Sequence, residues 1–303
     1  MSDEARPDLT GRRVAVVGLG LMGKPMARNL RTAGADVIVH NRSVGPQREL
    51  AADGFATADS PAEAARATGP EGVVIVMVTD TPSARAVLID GEASVLAGVA
   101  PGGLAIDMGT TQVMDAREMG AAFADKGVGF LDAPVSGGQV GAQEASLSVM
   151  AGGSDADFAR ALPLFQALGR NVTHVGDVGA GQVAKTANQM IVALTLGAVA
   201  EAFVLADKAG VDPAKVREAL SGGFAGSRIL ELHGARMVER AFTPGGRVSV
   251  QRKDVEQALA LAAHVGVDLP GLARNKHLWD ALIAAGGADL DHSAIIKAID
   301  PDW

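Results

Sequence analysis

The sequence predicts an α/β, doubly wound sheet followed by an all-α C-terminal domain with a long central helix. Three observations carry that prediction. Short β-rich runs alternate with Ala-rich amphipathic stretches up to Val175, and after it the strand pattern stops. The first strand also runs straight into a glycine turn, Gly18-x-Gly20-x-x-Gly23, that opens a helix. Near-continuous apolar strands separated by helices are the pattern of a mostly parallel sheet covered on both faces. A glycine turn in that setting is a Rossmann-type fingerprint.

In chain order, strands are expected in RRVAVVGLG, ADVIVHNR, GVVIVMVTD, GGLAIDMGTT, GVGFLDAPV, ASLSVMAGG and NVTHVG, with helices such as PAEAARATG and VMDAREMGAAFADKG between them. The glycine-rich joint GDVGAG then leads into a helix from about Gly181 to Ala209, about 40 Å long at 1.5 Å per residue. Shorter helices follow in DPAKVREALSG, SRILELHGARMVER, KDVEQALALAAHVG, LPGLARNKHLWDALIAAG and DHSAIIKAI. Asp212 is the expected N-cap of the first of these, with Pro213 in its opening turn. The organisation predicted is a dinucleotide-binding domain over 12–176 and an all-α substrate and dimerisation domain over 177–303. The first ten residues are polar and expected to be a loose lead-in.

Composition narrows the function. The chain has 303 residues, room for two cores. A net charge of −8 argues against broad nucleic-acid binding, which needs a basic face. With no cysteine, disulfides, cysteine–zinc sites and thiolate catalysis are excluded. The N-terminus lacks the apolar centre of a secretory signal, so a cytoplasmic enzyme is expected. The apolar run from Met190 to Ala200 is shorter than the roughly 20 residues a bilayer requires. Six histidines without ligand spacing imply no metal.

In the glycine turn, Gly18 makes the bend, Gly20 lets the backbone approach a pyrophosphate, and Gly23 lets the helix pack on the sheet. The second strand ends in Asn41, Arg42 and Ser43, where an NAD site usually carries an acid. An arginine there can clamp the extra phosphate of NADP, so NADP is favoured over NAD. In FLDAPVSGGQVGA, Ser136 and the amides of Gly137 and Gly138 could receive a carboxylate, or simply make a tight loop. Lys185 is the one charge between Val178 and Ala200, with Asn188 and Gln189 on its helix face. Either the three form a site for a bound oxygen and its proton, or the lysine reaches water from a helix start. Lys253 and Asp254 mark another expected helix start, where either Asp254 caps the helix and Lys253 faces the crevice or the two are a solvated charge pair.

Taken together, GLGLMGKPMARNL, DAPVSGG, GAGQVAKTANQ, the Lys253–Asp254 pair and DHSAI resemble the β-hydroxyacid dehydrogenases in order and spacing, from about Arg12 to Ile299. That family includes 3-hydroxyisobutyrate dehydrogenase and tartronate semialdehyde reductase, and the last third of the chain is most similar to the latter branch. The resemblance implies that Lys185 donates a proton to a carbonyl oxygen while nicotinamide delivers hydride. A lysine desolvated in a closed cleft can exchange a proton near neutral pH. By the same resemblance Asn188 orients the substrate, Gln189 stands where some members carry a second Asn, and Ser136, Gly137 and Gly138 hold its carboxylate. Leu19, Leu21, Met22, Met77, Val78, Thr110, Lys253 and Asp254 would join the glycine turn and residues 41–43 around the cofactor.

Several positions depart from the family pattern. Gly109 stands where Ser is common, Gly246 where Phe is expected, and Gln251–Arg252 replaces a His–apolar pair. Losing the ring is expected to open space, and Arg252 to add a cation. The function implied is an NADP-preferring reductase of a small aldehyde acid; the alternative is oxidation of a 3-hydroxy acid such as 3-hydroxyisobutyrate. Imine reductases replace the lysine, and a non-catalytic relative would have lost it, so Lys185 argues against both. The long apolar helix is more than one small domain can cover, and family members pack it between subunits, so a homodimer or homotetramer is expected.

Overall fold

The computed structural model describes residues 7–303, and the chain divides into two compact units, Met1–Lys185 and Thr186–Trp303. Part of the expected lead-in, residues 1–6, lies outside the described residues. The rest of it is not loose: Leu9 is fully buried and its amide donates to Ala33 O at 2.8 Å.

The first unit runs β1 (Arg13–Val17), α1 (Gly23–Thr32), β2 (Asp36–His40), α2 (Val44–Ala52), β3 (Ala56–Thr57), α3 (Pro61–Thr68), β4 (Val73–Val76), α4 (Thr81–Leu88), α5 (Val95–Gly98), β5 (Leu104–Asp107) and α6 (Val113–Asp125). It continues through β6 (Gly129–Asp132), β7 (Val135–Ser136), α7 (Gly138–Gln143), β8 (Leu147–Gly152), α8 (Asp155–Leu168) and β9 (Gly169–Gly176). The sheet order is β3-β2-β1-β4-β5-β6-β8-β7, with β9 on β8. Strands β3 to β6 pair in parallel, while β8 runs antiparallel to β6 and β7. This is the Rossmann-type order, its strand sequence reversing direction beside β1.

Period-2 alternation explains why these strands are apolar throughout. Val14, Val16, Val37, Val39, Ile75 and Ile106 point into one core, against Met26 and Leu30 of α1 and Leu164 and Phe165 of α8. Ala15, Val17, Ile38, Val74, Val76 and Ala105 point the other way, against Ala64 and Ala65 of α3, Leu88 of α4 and Met119 and Phe123 of α6. The seven strands expected from sequence are all present. The two that it misses, β3 and β7, are two residues each and too short for a periodicity to register.

The helical part consists of α9 (Ala180–Lys208), α10 (Pro213–Leu220), α11 (Arg228–Glu239), α12 (Val248–Val265), α13 (Pro270–Ala284) and a 3-10 turn over His292–Ala298. Asp212 caps α10 as expected, accepting from Ala214 N. At 29 residues α9 is long and apolar enough to cross a bilayer. That holds by length and composition only, and its continuous apolar run, from Met190 to Ala200, stays as short as expected. What it does here is form the spine of the second unit's core, through Ala193, Leu196, Ala200 and Phe203 packed with Leu230, Met237, Val255, Trp279 and Ile295. Trp279 Nε1 donates to Asn275 Oδ1 and Trp303 Nε1 to Met237 O, both at 2.7 Å, so each indole is buried with its polar atom satisfied.

Two expectations in this unit are corrected. Helix α12 starts at Val248, not at Lys253, so Asp254 is interior to the helix and caps nothing. The space beside Gly246 is not open either: a Cβ there would meet the His292 ring at 3.3 Å. That ring belongs to a polar knot centred on Asp291, which is fully buried. Asp291 Oδ1 accepts from the Ser293 amide and hydroxyl, and Oδ2 from Arg236 Nη1 and the amides of Gly245 and Gly246. His292 Nε2 lies 3.2 Å from His233 Nε2, and His233 Nδ1 lies 3.7 Å from Asp291 Oδ1, an electrostatic contact too long for a hydrogen bond.

The fold thus gathers histidines that look scattered in sequence, and His233, Asp291 and His292 offer ligand atoms within 4.8 Å of one another. Both Asp291 oxygens are nonetheless taken, and a guanidinium already supplies the cation, so the knot is a structural tie between α11, the loop before α12 and the 3-10 turn.

Burial alone pushes the Asp291 carboxyl up, but His233, the Ser293 hydroxyl, the His292 ring and the Gly245 amide outweigh it, and the net shift is downward. His292 is pushed down to about 4, first by burial and then by His233, with Asp291 opposing and Arg236 adding to the fall. Its folded value lies below its unfolded value of 6.5, so between them the unfolded chain takes up a proton that the folded chain refuses. Stability should therefore fall as pH drops from 6.5 towards 4, by at most about 1.4 kcal/mol per unit from this group. Urea unfolding followed by circular dichroism across that window should show a steeper slope for wild type than for His292→Gln. Equal slopes would remove His292 as the cause.

Candidate active site

In the first unit the glycine turn is built as its spacing predicts. Gly18 has φ +97°, and a Cβ on it would lie 2.3 Å from Met77 O. A Cβ on Gly23 would lie 1.8 Å from Gly18 O, so only glycine lets α1 close on the turn. Gly20 has nothing within 4 Å of a would-be Cβ and faces open space. Helices α3 and α4 are capped by Ser60 and Asp80, whereas α1 has neither a side-chain cap nor an acid in its first turn. Uncapped amides at a helix N-terminus behind a bare glycine backbone suit a diphosphate, so the residues present fit a dinucleotide. Leu19 is fully buried, while Leu21 is exposed on the turn and Met22 precedes α1.

At the end of β2, Asn41 braces the turn: its Oδ1 accepts from Leu19 N at 2.9 Å and its Nδ2 donates to Ser43 O at 2.8 Å. Beside it a recess of about 250 Å³ is lined by His40, Asn41, Arg42, Gln47, Arg48 and Asp59, among others. Arg48 is a second arginine that sequence reasoning passed over. It lies in α2, and only the fold brings it beside Arg42.

The loop after β5 is also well made. Asp107, fully buried, accepts from Gly109 N at 3.0 Å and Thr111 Oγ1 at 2.6 Å. A Cβ on Gly109 would sit 2.6 Å from Val78 O, so the glycine fits where a serine would crowd. Thr110 follows it, half-buried, and Met77 and Val78 are half-buried beyond β4. After β7, Gly137 and Gly138 both have positive φ, +135° and +60°, and start α7 next to a half-buried Ser136.

Lys185 lies in the first turns of α9 with 7% of its surface exposed, so it does not reach freely into water. The start of α9 is capped from a distance: Asp132 at the end of β6 accepts from Gly179 N and Gln182 N, both at 2.7 Å. Burial pushes the Asp132 carboxyl up to about 7, the Gly179 and Gln182 amides pulling against it and nearby Asp107 adding to the push. Sequence reasoning missed Asp132, Asp107 and Gln182. The available signal was an acid closing an otherwise apolar strand, as in GFLDAP and LAIDMG.

The second unit holds its own polar cluster. Asn188 Nδ2 donates to Gln189 Oε1 at 2.8 Å, and Gln189 Nε2 donates to Asp254 Oδ2 at 2.6 Å. Gln251 Nε2 donates to Gln189 O, and Lys253 Nζ pairs with Asp254 Oδ1 at 3.0 Å. Arg252 does not add a spare cation: it is paired with both Asp280 and Glu256.

Residues 13–176 match the NAD-binding domain of 6-phosphogluconate dehydrogenase, and residues 179–299 match the NAD-binding region of NADP-dependent 3-hydroxyisobutyrate dehydrogenase. The chain is 42% identical over 289 residues to 2-hydroxy-3-oxopropionate reductase of Escherichia coli K12, covering 95% of this chain and 97% of that one. It is 37% identical over 293 residues to 3-hydroxyisobutyrate dehydrogenase of Pseudomonas aeruginosa, covering 94% and 97%. Among solved structures, Mycobacterium tuberculosis 3-hydroxyisobutyrate dehydrogenase with L-serine superposes with a TM-score of 0.85 at 34% identity, covering 95% and 99%. The chain belongs to the β-hydroxyacid dehydrogenase family. It is an NAD(P)-dependent hydroxyacid dehydrogenase.

Proposed function

We propose that this enzyme reduces a small aldehyde acid of the tartronate semialdehyde type, with NADPH as preferred cofactor and Lys185 as proton donor. The observation that carries the reading is the buried Lys185 at the start of α9, within the unit that also carries the glycine turn. Bound there, the reduced nicotinamide supplies hydride to the substrate carbonyl carbon. Lys185 Nζ gives a proton to the carbonyl oxygen, and takes one from the hydroxyl when the reaction runs in reverse. Ser136 and the amides of Gly137 and Gly138 receive the carboxylate, supported by two successive positive-φ glycines without side chains to shield their N–H groups. Asn188 orients the substrate, and Gln189, held by Asp254, fixes Asn188. Thr110, Met77, Val78, Lys253 and Asp254 are the further cofactor contacts in this reading.

NADP preference rests on Arg42 and Arg48 beside one recess, where two guanidinium groups favour a 2′-phosphate. A second reading, oxidation of a 3-hydroxy acid such as 3-hydroxyisobutyrate, has the 37% identity to the Pseudomonas enzyme in its favour. The enzyme is also proposed to be a homodimer or homotetramer. On α9, Ala187, Ile191, Leu194, Ala198, Glu201 and Leu205 are exposed at helical spacing, an apolar stripe with one charge.

With NADPH and tartronate semialdehyde, Lys185→Ala should lower kcat by about 10²–10⁴-fold, the range for losing a positioned proton donor; full activity in the variant would sink the assignment. Arg42→Ala and Arg48→Ala should each raise KM for NADPH about 10-fold while leaving NADH within two-fold, as loss of one charge-assisted hydrogen bond implies. Parallel losses with both cofactors would remove the 2′-phosphate reading. Sedimentation at micromolar concentration should give a dimer or larger, and a monomer would refute the subunit interface.

A further inference from the structure

Three buried polar side chains at the start of α9 are unused by the reaction as proposed: Asp132, Gln182 and Asp107, with exposures of 0%, 1% and 0%. They form one connected set. Asp132 Oδ1 and Oδ2 accept from Gly179 N and Gln182 N. The Gln182 side chain spans to the loop after β5, its Oε1 accepting from Thr111 N at 3.0 Å and its Nε2 donating to Gly109 O at 2.9 Å. Asp107 fixes that loop in turn through Gly109 N and Thr111 Oγ1. Glycine is needed to seat the helix so closely: a Cβ on Gly181 would lie 2.3 Å from Asp132 O and 2.4 Å from Met150 O.

We propose that Asp132 and Gln182 are positioning residues for Lys185, setting the depth and the rotation of the turn that carries it. The proposal rests on the reading of Lys185 as proton donor. Gln182 and Lys185 are three residues apart and so lie on one side of the helix. Asp132 holds the backbone of that turn along the helix axis, while the two-point Gln182 amide fixes its azimuth. Helix side chains reach about 5–6 Å from the axis, so a rotation of about 10° carries the tip through about 1 Å. A misplacement of that size can cost about 100-fold in rate. A capping carboxylate alone would leave rotation free, and the bridging amide supplies what it lacks. No polar group on Gln182 is spent on solvent.

The test uses Gln182→Met, which keeps the volume and removes both hydrogen-bonding atoms, and Asp132→Asn, which puts a donor where an amide N–H needs an acceptor. At 25 °C, well below unfolding, kcat should fall 10- to 100-fold in each, with NADPH affinity of Asp132→Asn within two-fold of wild type. The rate of Lys185 labelling by trinitrobenzenesulfonate, read by peptide mass spectrometry, should change several-fold, because the amine is no longer held in one place. If the variants only melt earlier, with wild-type kcat and labelling rate, the residues are structural and the proposal is overturned. If Asp132→Asn does not fold, Gln182→Met decides alone. Retained activity in Lys185→Ala would defeat the proton-donor reading separately, and the labelling rates would still report whether the turn is positioned.

Discussion

One carboxylate fastens the start of α9 to the parallel sheet. Asp132 closes β6 and takes the first amides of α9, although 47 and 50 residues separate it from them. A buried carboxylate is costly unless it is hydrogen-bonded, and the positive end of a helix is among the better places to put one. The arrangement dictates local sequence: Gly152, Gly179 and Gly181 surround the contact because side chains there would collide with Asp132, Arg117 or the neighbouring backbone. Lys185 follows within the next turn. Its burial is therefore a consequence of where the helix is made to begin, not of its own preference.

The two helix N-termini that matter are treated in opposite ways. The amides of α1 are left without a side-chain cap behind a glycine that faces open space, which is what a phosphate-bearing ligand requires. Those of α9 are satisfied by the protein itself. The same backbone chemistry thus serves recognition at one place and anchorage at the other, and the deciding factor is whether a strand end upstream supplies an acid.

What was legible in the sequence was local or periodic. Near-continuous apolar runs gave the seven longer strands, the glycine spacing gave the turn, and the long apolar pattern gave α9 to within a residue at each end. What was not legible depended on distant partners. Asp254 looks like a cap when read beside Lys253, but α12 begins five residues earlier and Asp254 meets Gln189 instead. Gly246 looks like a lost ring, yet His292, 46 residues on, occupies the place. Arg48 and His233 are unremarkable in sequence because the partners that give them meaning, Arg42 and the Asp291–His292 pair, lie more than a helical turn away. Recognition of the ordered motifs supplied candidate roles that spacing alone left open, notably for Lys185.

The aromatic poverty of the chain has a practical side. Both of its tryptophans, Trp279 and Trp303, lie in the core of the helical unit, each donating its indole N–H inside the protein, and there is no tyrosine. Tryptophan emission therefore arises from the helical unit alone. A change in that emission signal reports melting of the helices. The helical unit thus carries an optical reporter of its own, with no label added.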